Sequence, residues 1–126
     1  VAKGGSQLTV RRTKDGYCVR SGSTEKYGGF CPSVDVLFRS AAQSAGSKAI
    51  GVILTGMGQD GARGLKCMHD EGAYTLGQDK ESCAVFGMPC AAWELGGVDK
   101  LLPPELIAKE IVRQCCKDIK SEADKK

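Results

Sequence analysis

Residues 51–64, GVILTGMGQDGARG, place a carboxylate inside a glycine loop that follows an apolar run and precedes a helix-like segment. Gly56, Gly58 and Gly61 spell G-x-G-x-x-G, and Asp79 lies near the ~20-residue offset at which dinucleotide-binding units carry a ribose-binding acid. In that chemistry a diphosphate would rest on the helix N-terminus starting near Ala62. Asp60 opposes it, because like charges ~4 Å apart cost about 4 kcal/mol at an effective dielectric near 20, more than one helix dipole returns. The motif also normally opens a Rossmann domain, whereas a hairpin and a helix precede it here. A second chemistry uses the acid itself. An aspartate held by backbone N–H groups can fix a histidine in one tautomer and stabilise the imidazolium that forms as a serine is deprotonated. Glycines on either side let the backbone turn tightly and bring those N–H groups close. A third reading leaves Asp60 only the role of capping the following helix. Spacing alone leaves all three open.

The other reactive side chains point to little. Seven cysteines are scattered, odd in number and without a C-x-x-C pair, so neither a disulfide framework nor a metal site is expected. The single histidine, His69, has no partners at zinc-ligand spacing and falls mid-helix, where it reads as a partly exposed helix residue. The net charge is +3, and residues 1–27 concentrate six cations against two acids. With few aromatics interleaved and no nucleic-acid motif, these cations read as solvated strand faces, and no nucleic-acid partner is expected. No apolar run is long enough to cross a bilayer and no secretory signal precedes the chain, which predicts a cytoplasmic protein without membrane insertion. An apolar share of 41% with 26% charged residues fits a globular domain rather than a disordered chain. At 126 residues the chain is one domain or a piece of one, and its opening on VAKGG without methionine points to processing, truncation or an excerpt.

The elements that must position Asp60 follow from pattern. Residues 7–12 (QLTVRR) and 17–20 (YCVR) alternate around Lys14-Asp15-Gly16, a hairpin signal. Residues 21–31 read as a loop, after which Pro32 and the capping residue Ser33 open a helix. Its stripe is Val34, Leu37, Phe38, Ala41, Ala42 and Ala45, and Gly46 ends it. AIGVIL (49–54) is apolar on both faces and predicts a central parallel strand. Ala62 to Asp70 predicts a short helix with Ala62, Leu65 and Met68 inward, followed by Gly72 and a strand over 73–78. A strand end at Val85-Phe86, a turn at Gly87-Met88-Pro89 and a helix to about Leu95 come next. Pro103-Pro104 opens a terminal helix with a stripe of Ile107, Ala108, Ile111, Val112 and Cys115, and the tail SEADKK is expected to fray. The alternation predicts an α/β architecture: a parallel sheet flanked by helices in three Rossmann-like layers, with an N-terminal β-hairpin. Ligand chemistry belongs at the C-terminal ends of its strands, where the glycine loop lies.

The runs PSVDVLFRSAA (32–42), GVILTGMGQDGARGL (51–65), GAYTLGQD (72–79), SCAVFGMPCAAWELGGVD (82–99) and LLPPELIA (101–108) together resemble the catalytic domain of the bacterial chemotaxis protein-glutamate methylesterases, the CheB type. The resemblance is ordered and spans most of residues 1–108. It implies an esterase that hydrolyses glutamate methyl esters, and often deamidates glutamines, on the cytoplasmic domain of chemoreceptors. The family uses a Ser-His-Asp triad with no cofactor. By resemblance, Asp60 is the triad acid, Met57 lines the site, and Gly56, Gly58 and Gly61 shape the loop backbone. The family's G-x-S-T-G-G nucleophile loop and its H-M-P segment have no counterpart here. Ser21-Gly22-Ser23-Thr24 echoes the former but follows the hairpin, and the role is not carried over. Residues 1–116 therefore resemble the C-terminal portion of a larger esterase domain, with 117–126 as a charged tail. The family's usual receiver domain is also missing. The chain alone is expected to be inactive, since an orienting aspartate without nucleophile or base cannot transfer an acyl group. Two departures are local: Phe30-Cys31 stand where a His-Arg pair is common, and Gln7 replaces a common histidine. The competing expectations are a non-catalytic receptor-binding module and a nucleotide-binding α/β domain.

Overall fold

A computed structural model describes residues 1–124; Lys125 and Lys126, the end of the expected tail, lie outside the described residues. The chain opens with an antiparallel hairpin, β1 (Leu8–Thr13) and β2 (Gly16–Ser21), in which Thr13 faces Gly16 and Lys14-Asp15 form the loop. Helix α1 (Val34–Ala45) lies against it and ends at Gly46, whose φ of 53° carries the chain into a single 3-10 turn. Two helix hydroxyls hold the hairpin's backbone: Val10 N donates to Ser40 Oγ at 2.9 Å, and Ser44 Oγ donates to Val10 O at 2.8 Å. The hairpin's outer side chains Tyr17 and Val19 stay exposed.

The remainder is β3 (Ile50–Ile53), α2 (Ala62–Asp70), β4 (Tyr74–Gln78), α3 (Met88–Glu94), β5 (Lys100–Leu102) and α4 (Pro104–Asp124). The three strands form one parallel sheet in the order β3-β4-β5, with Ile50 beside Tyr74 and Leu76 beside Lys100. Strand parity sorts the helices into layers. Gly51 approaches Leu65 and Met68 of α2, and Gly77 approaches Ile53, Val98 and Leu101, so these residues face α2 and α3. Tyr74, of opposite parity, donates from its hydroxyl to Glu110 of α4 at 2.7 Å. The core on the first face gathers Ala42, Ile53, Ala62, Leu65, Met68, Ala73, Ala92 and Val98. On α4, Glu110 takes the Arg113 guanidinium at 2.8 Å as well as the Tyr74 hydroxyl. Those two donors, Arg113 first, hold its carboxyl down to about 2, while burial and the Glu110 charge push Tyr74 up.

Several expectations are corrected. The central strand is β4, with Thr75, Leu76, Gly77 and Gln78 all buried, whereas β3 pairs only with β4 among the described residues. An apolar run reports two covered faces and says nothing about which edge has a neighbour. Val85-Phe86 form no strand; Phe86 makes a lone parallel bridge to Gly56, and the expected turn at 87–89 is the start of α3, with Pro89 in its first turn. Strand β5 escapes the sequence pattern because it is three residues long and begins on the exposed Lys100. On α4, Ile107 is buried and Glu110, Ile111 and Gln114 half-buried, while Ala108, Val112 and Cys115 of the expected stripe are exposed. The helix also continues through the segment expected to fray, as far as Asp124.

Helices α1 and α2 cross at Gly64. A Cβ there would lie 2.7 Å from Phe38 Cβ and 3.0 Å from Asp35 Cα, with backbone behind it. Gly64→Ala is therefore expected to lower stability by about 1–3 kcal/mol through overpacking, read as a lower urea midpoint. Gly4→Ala, where a Cβ meets nothing within 4 Å, should leave the midpoint unchanged.

Candidate active site

The loop from Leu54 to Gly61 leaves the C-terminal end of β3 and is fixed on two sides. On one side it is stitched to the FGMP segment. Thr55 exchanges hydrogen bonds with Val85 through its hydroxyl, Gly56 N donates to Val85 O at 3.1 Å, and Gly56 O accepts from Gly87 N and Met88 N. This approach is too close for side chains: a Cβ on Gly56 would lie 2.4 Å from Met88 Sδ, and one on Gly87 would lie 2.7 Å from Gly56 O. Thr55 N also donates to the buried Gln78 at 2.8 Å, tying the loop to β4. The G-M-G and F-G-M-P motifs are thus two halves of one backbone contact.

On the other side the loop meets the N-terminus of α1. Asp60 Oδ1 accepts from Ser33 Oγ at 2.8 Å and from Asp35 N at 3.1 Å, and Oδ2 accepts from Val34 N at 2.8 Å. Asp60 therefore caps a helix, but it is α1 rather than the one that follows it in sequence. Ser33 does not cap its own helix; its hydroxyl is spent on Asp60. The exchange is reciprocal. Asp35 Oδ1 accepts from Gly61 N at 3.1 Å and Gly64 N at 2.7 Å, so α1 supplies the cap of α2. Gln7, 4% exposed, braces the assembly: its Oε1 accepts from Ser33 N at 2.8 Å, and its Nε2 donates to Glu25 O and Phe30 O. The glutamine that replaces a common histidine is thus an internal strut that fastens the 21–31 loop to α1.

This geometry argues against the first of the three readings. The amides of Gly61, Ala62 and Gly64, which a diphosphate at the start of α2 would need, already donate to Asp35, Gln59 and Asp35 respectively. Asp79 Oδ1 accepts from Ser82 N and Ser82 Oγ in a local turn. The nucleotide-binding expectation is withdrawn on these grounds. A carboxylate offers about four acceptor positions. Three of them on Asp60 are filled, which leaves one on Oδ2. The half-buried Asp60 shares the wall of a cavity of about 470 Å³ with Tyr27, Phe30, Arg63, Glu94 and Leu95. Arg39 stacks on Tyr27 with its guanidinium carbon 5.1 Å from the ring centre. Phe30, one of the residues replacing the family's basic pair, gives this cavity an aromatic wall.

Of the remaining residues singled out in sequence, Met57 lies in the Asp60 loop and is 85% exposed, but it is not part of this cavity's lining. Gly58 and Gly61 take φ of 94° and 99°, which only glycine adopts readily. Ser23 accepts from Gln7 N through its carbonyl, so the serine-rich stretch has a structural part in the loop. His69 is at the opposite end of the sheet, its Nδ1 3.3 Å from Asp99 Oδ1 and 3.5 Å from Thr75 Oγ1. Those partners, and the contacts that Ser33, Asp35 and Gln7 make around Asp60, leave no local signal in the sequence. The P-S-V-D run signals a helix start with an acid in its first turn, but not that the acid serves a different helix.

The comparisons agree with the resemblance. The CheB methylesterase family model matches residues 1–111. The chain is 54% identical over 113 residues to a protein-glutamate methylesterase/protein-glutamine glutaminase of Chromobacterium violaceum, covering 90% of this chain and 32% of that protein. A counterpart from Syntrophomonas wolfei is 50% identical over 113 residues, with 90% and 33% covered. The chain thus spans about a third of the length of the curated relatives it matches. In three dimensions it matches the crystal structure of the Thermotoga maritima CheB methylesterase catalytic domain with a TM-score of 0.85 and 34% identity, covering 90% of this chain and 60% of that one.

The capping role has a direct consequence for stability. Asp60→Ala leaves the Val34 and Asp35 amides without an acceptor, and loss of such a cap costs on the order of 1–2 kcal/mol. Denaturant unfolding should show that loss, and hydrogen exchange at the Val34 and Asp35 amides should accelerate while the amides of β4 keep their protection relative to global unfolding.

Proposed function

Since the chain belongs to the CheB methylesterase family, we propose that it forms part of an esterase that hydrolyses glutamate methyl esters on chemoreceptors, with Asp60 as the acid of a Ser-His-Asp triad. The observation that supports this most is the single open acceptor position on Asp60 Oδ2, in a carboxylate otherwise fully engaged. The same residue lines the cavity it shares with Tyr27, Phe30 and Arg63. Filled by an imidazole N–H, the remaining position fixes the ring's tautomer and stabilises the imidazolium formed when the ring takes a serine proton. The serine oxygen attacks the ester carbonyl, methanol leaves with the proton returned by the imidazole, and water then releases the glutamate by the same steps in reverse. A glutamine amide in place of the ester loses ammonia instead, giving the glutaminase reaction.

The serine and histidine are supplied from outside residues 1–126. Ser33 is no substitute, because its hydroxyl donates straight to Asp60 with no base between them. His69 is committed to Asp99 and Thr75 at the far end of the sheet. On this reading the partners are the methylated cytoplasmic domain of a chemoreceptor and, in the complete protein, a receiver domain. The reading places the protein in the cytoplasm; no helix among the described residues is long and apolar enough to cross a membrane.

In the complete protein, Asp60→Asn is expected to keep the fold and reduce methanol release from methylated receptor by a factor on the order of 10³–10⁴, as loss of the orienting acid does in serine triads. Methanol release at the unaltered rate would overturn the role of Asp60. A complete protein that binds receptor but releases no methanol would identify a non-catalytic receptor-binding module instead.

A further inference from the structure

Asp35 is a buried charge that no step of the proposed reaction uses. It is 8% exposed, sits in the first turn of α1, and shows no salt-bridge partner among the described residues. Burying a carboxylate is expensive unless donors compensate it. Here they do: Gly61 N at 3.1 Å and Gly64 N at 2.7 Å both donate to Oδ1. Gly61 is the residue directly after Asp60, and its φ of 99° sets the direction in which the loop leaves that residue. The backbone N–H of Asp35 in turn donates to Asp60 Oδ1 at 3.1 Å. One residue therefore grips Asp60 twice, through the side chain and through the peptide that follows it.

Resting on the function proposed above, we propose that Asp35 is a positioning residue for catalysis: it fixes the peptide after Asp60, and so sets the direction of Asp60's one open acceptor position. Its carboxylate works as a hydrogen-bond acceptor rather than as a charge, since both donors are backbone amides. A misplacement of about 1 Å in a catalytic constellation can cost on the order of 10²-fold in rate. The Asp35 contacts are the ones whose loss permits such a displacement without touching Asp60. A Cβ on Gly61 would lie 2.8 Å from Val34 Cγ1, so the loop is packed against α1 here but is not bonded to it except through Asp35 and Asp60.

The test is a double-mutant cycle in the complete protein, measuring kcat and KM for methanol release from methylated receptor, with circular dichroism confirming the fold of each variant. Asp35→Ala is expected to lower kcat about 10- to 100-fold with KM within about twofold. Asp35→Asn keeps an acceptor for both amides and should restore kcat to within about threefold of the parent. In an Asp60→Asn background, Asp35→Ala should lower kcat by less than about threefold more, because a residue that acts through Asp60 has nothing left to position. If Asp35→Ala fails to fold, Asp35→Glu retains the charge with the acceptor one methylene displaced, and should lower kcat at least about tenfold. The proposal is overturned if folded Asp35→Ala (or Asp35→Glu, where Asp35→Ala does not fold) keeps the parent's kcat, if Asp35→Asn is as slow as Asp35→Ala, or if the Asp35→Ala loss multiplies in full with that of Asp60→Asn. An unaltered rate in Asp60→Asn alone would remove the assignment of Asp60 itself, and the proposal with it, which separates that failure from the first two.

Discussion

Two helices in this chain begin beside each other, and each takes its capping carboxylate from the other's segment. The first turns of α1 and α2 both present free backbone amides, groups that a helix cannot satisfy from within. Asp60, from the loop before α2, supplies acceptors to Ser33, Val34 and Asp35; Asp35, from α1, supplies them to Gly61 and Gly64. Each negative charge thus lies at the positive end of a helix dipole, where it is favoured. Because the two caps are mutual, neither helix can shift along its axis without breaking the other's. The relative placement of α1, α2 and the loop between β3 and α2 follows from this exchange.

The glycines make the exchange sterically possible. Gly64 lets α2 pass against the backbone of Asp35, and Gly61 lets the chain turn where Val34 leaves no room for a side chain. Gly56 and Gly87 do the same on the far side of the loop, where Gly56 lies against the Met88 side chain and Gly87 against the Gly56 carbonyl. In a nucleotide-binding turn, glycines clear space for phosphate. Here the space at Gly56 and Gly61 is filled by protein, and the Gly61 and Gly64 amides hold Asp35 instead of an anion.

Much of this was legible in the sequence where the signal was local. The hairpin around Lys14-Asp15, the span of α1 up to Gly46, the span of α2 and the strand at 74–78 all stand close to their expected bounds. What failed depended on partners distant in the chain. The apolar run of β3 could not show that, among the described residues, its neighbour would be found on one edge alone, nor could three residues at Lys100–Leu102 register as a strand. The stripe of α4 was misplaced because Tyr74 of β4 and Lys100 of β5 meet its inward edge, bringing Glu110 under cover in preference to Ala108. At the site, the loop that carries Asp60 was evident from its glycines, and the family resemblance supplied its role. Asp35 read as an ordinary acid in a helix's first turn, since nothing local indicates that it caps a helix some 27 residues on. Ser33 was expected to cap α1 and instead anchors the acid that does.

The central claim is that Asp60 is held by the start of α1 so as to leave one acceptor position for an imidazole. A crystal structure of the complete protein tests it most directly. The account predicts an imidazole nitrogen within about 2.7–3.2 Å of Asp60 Oδ2, with the Ser33, Val34 and Asp35 donors still in place. An imidazole that reaches Asp60 only after those donors are released, or an Oδ2 that faces the cavity with no imidazole beside it, would contradict it.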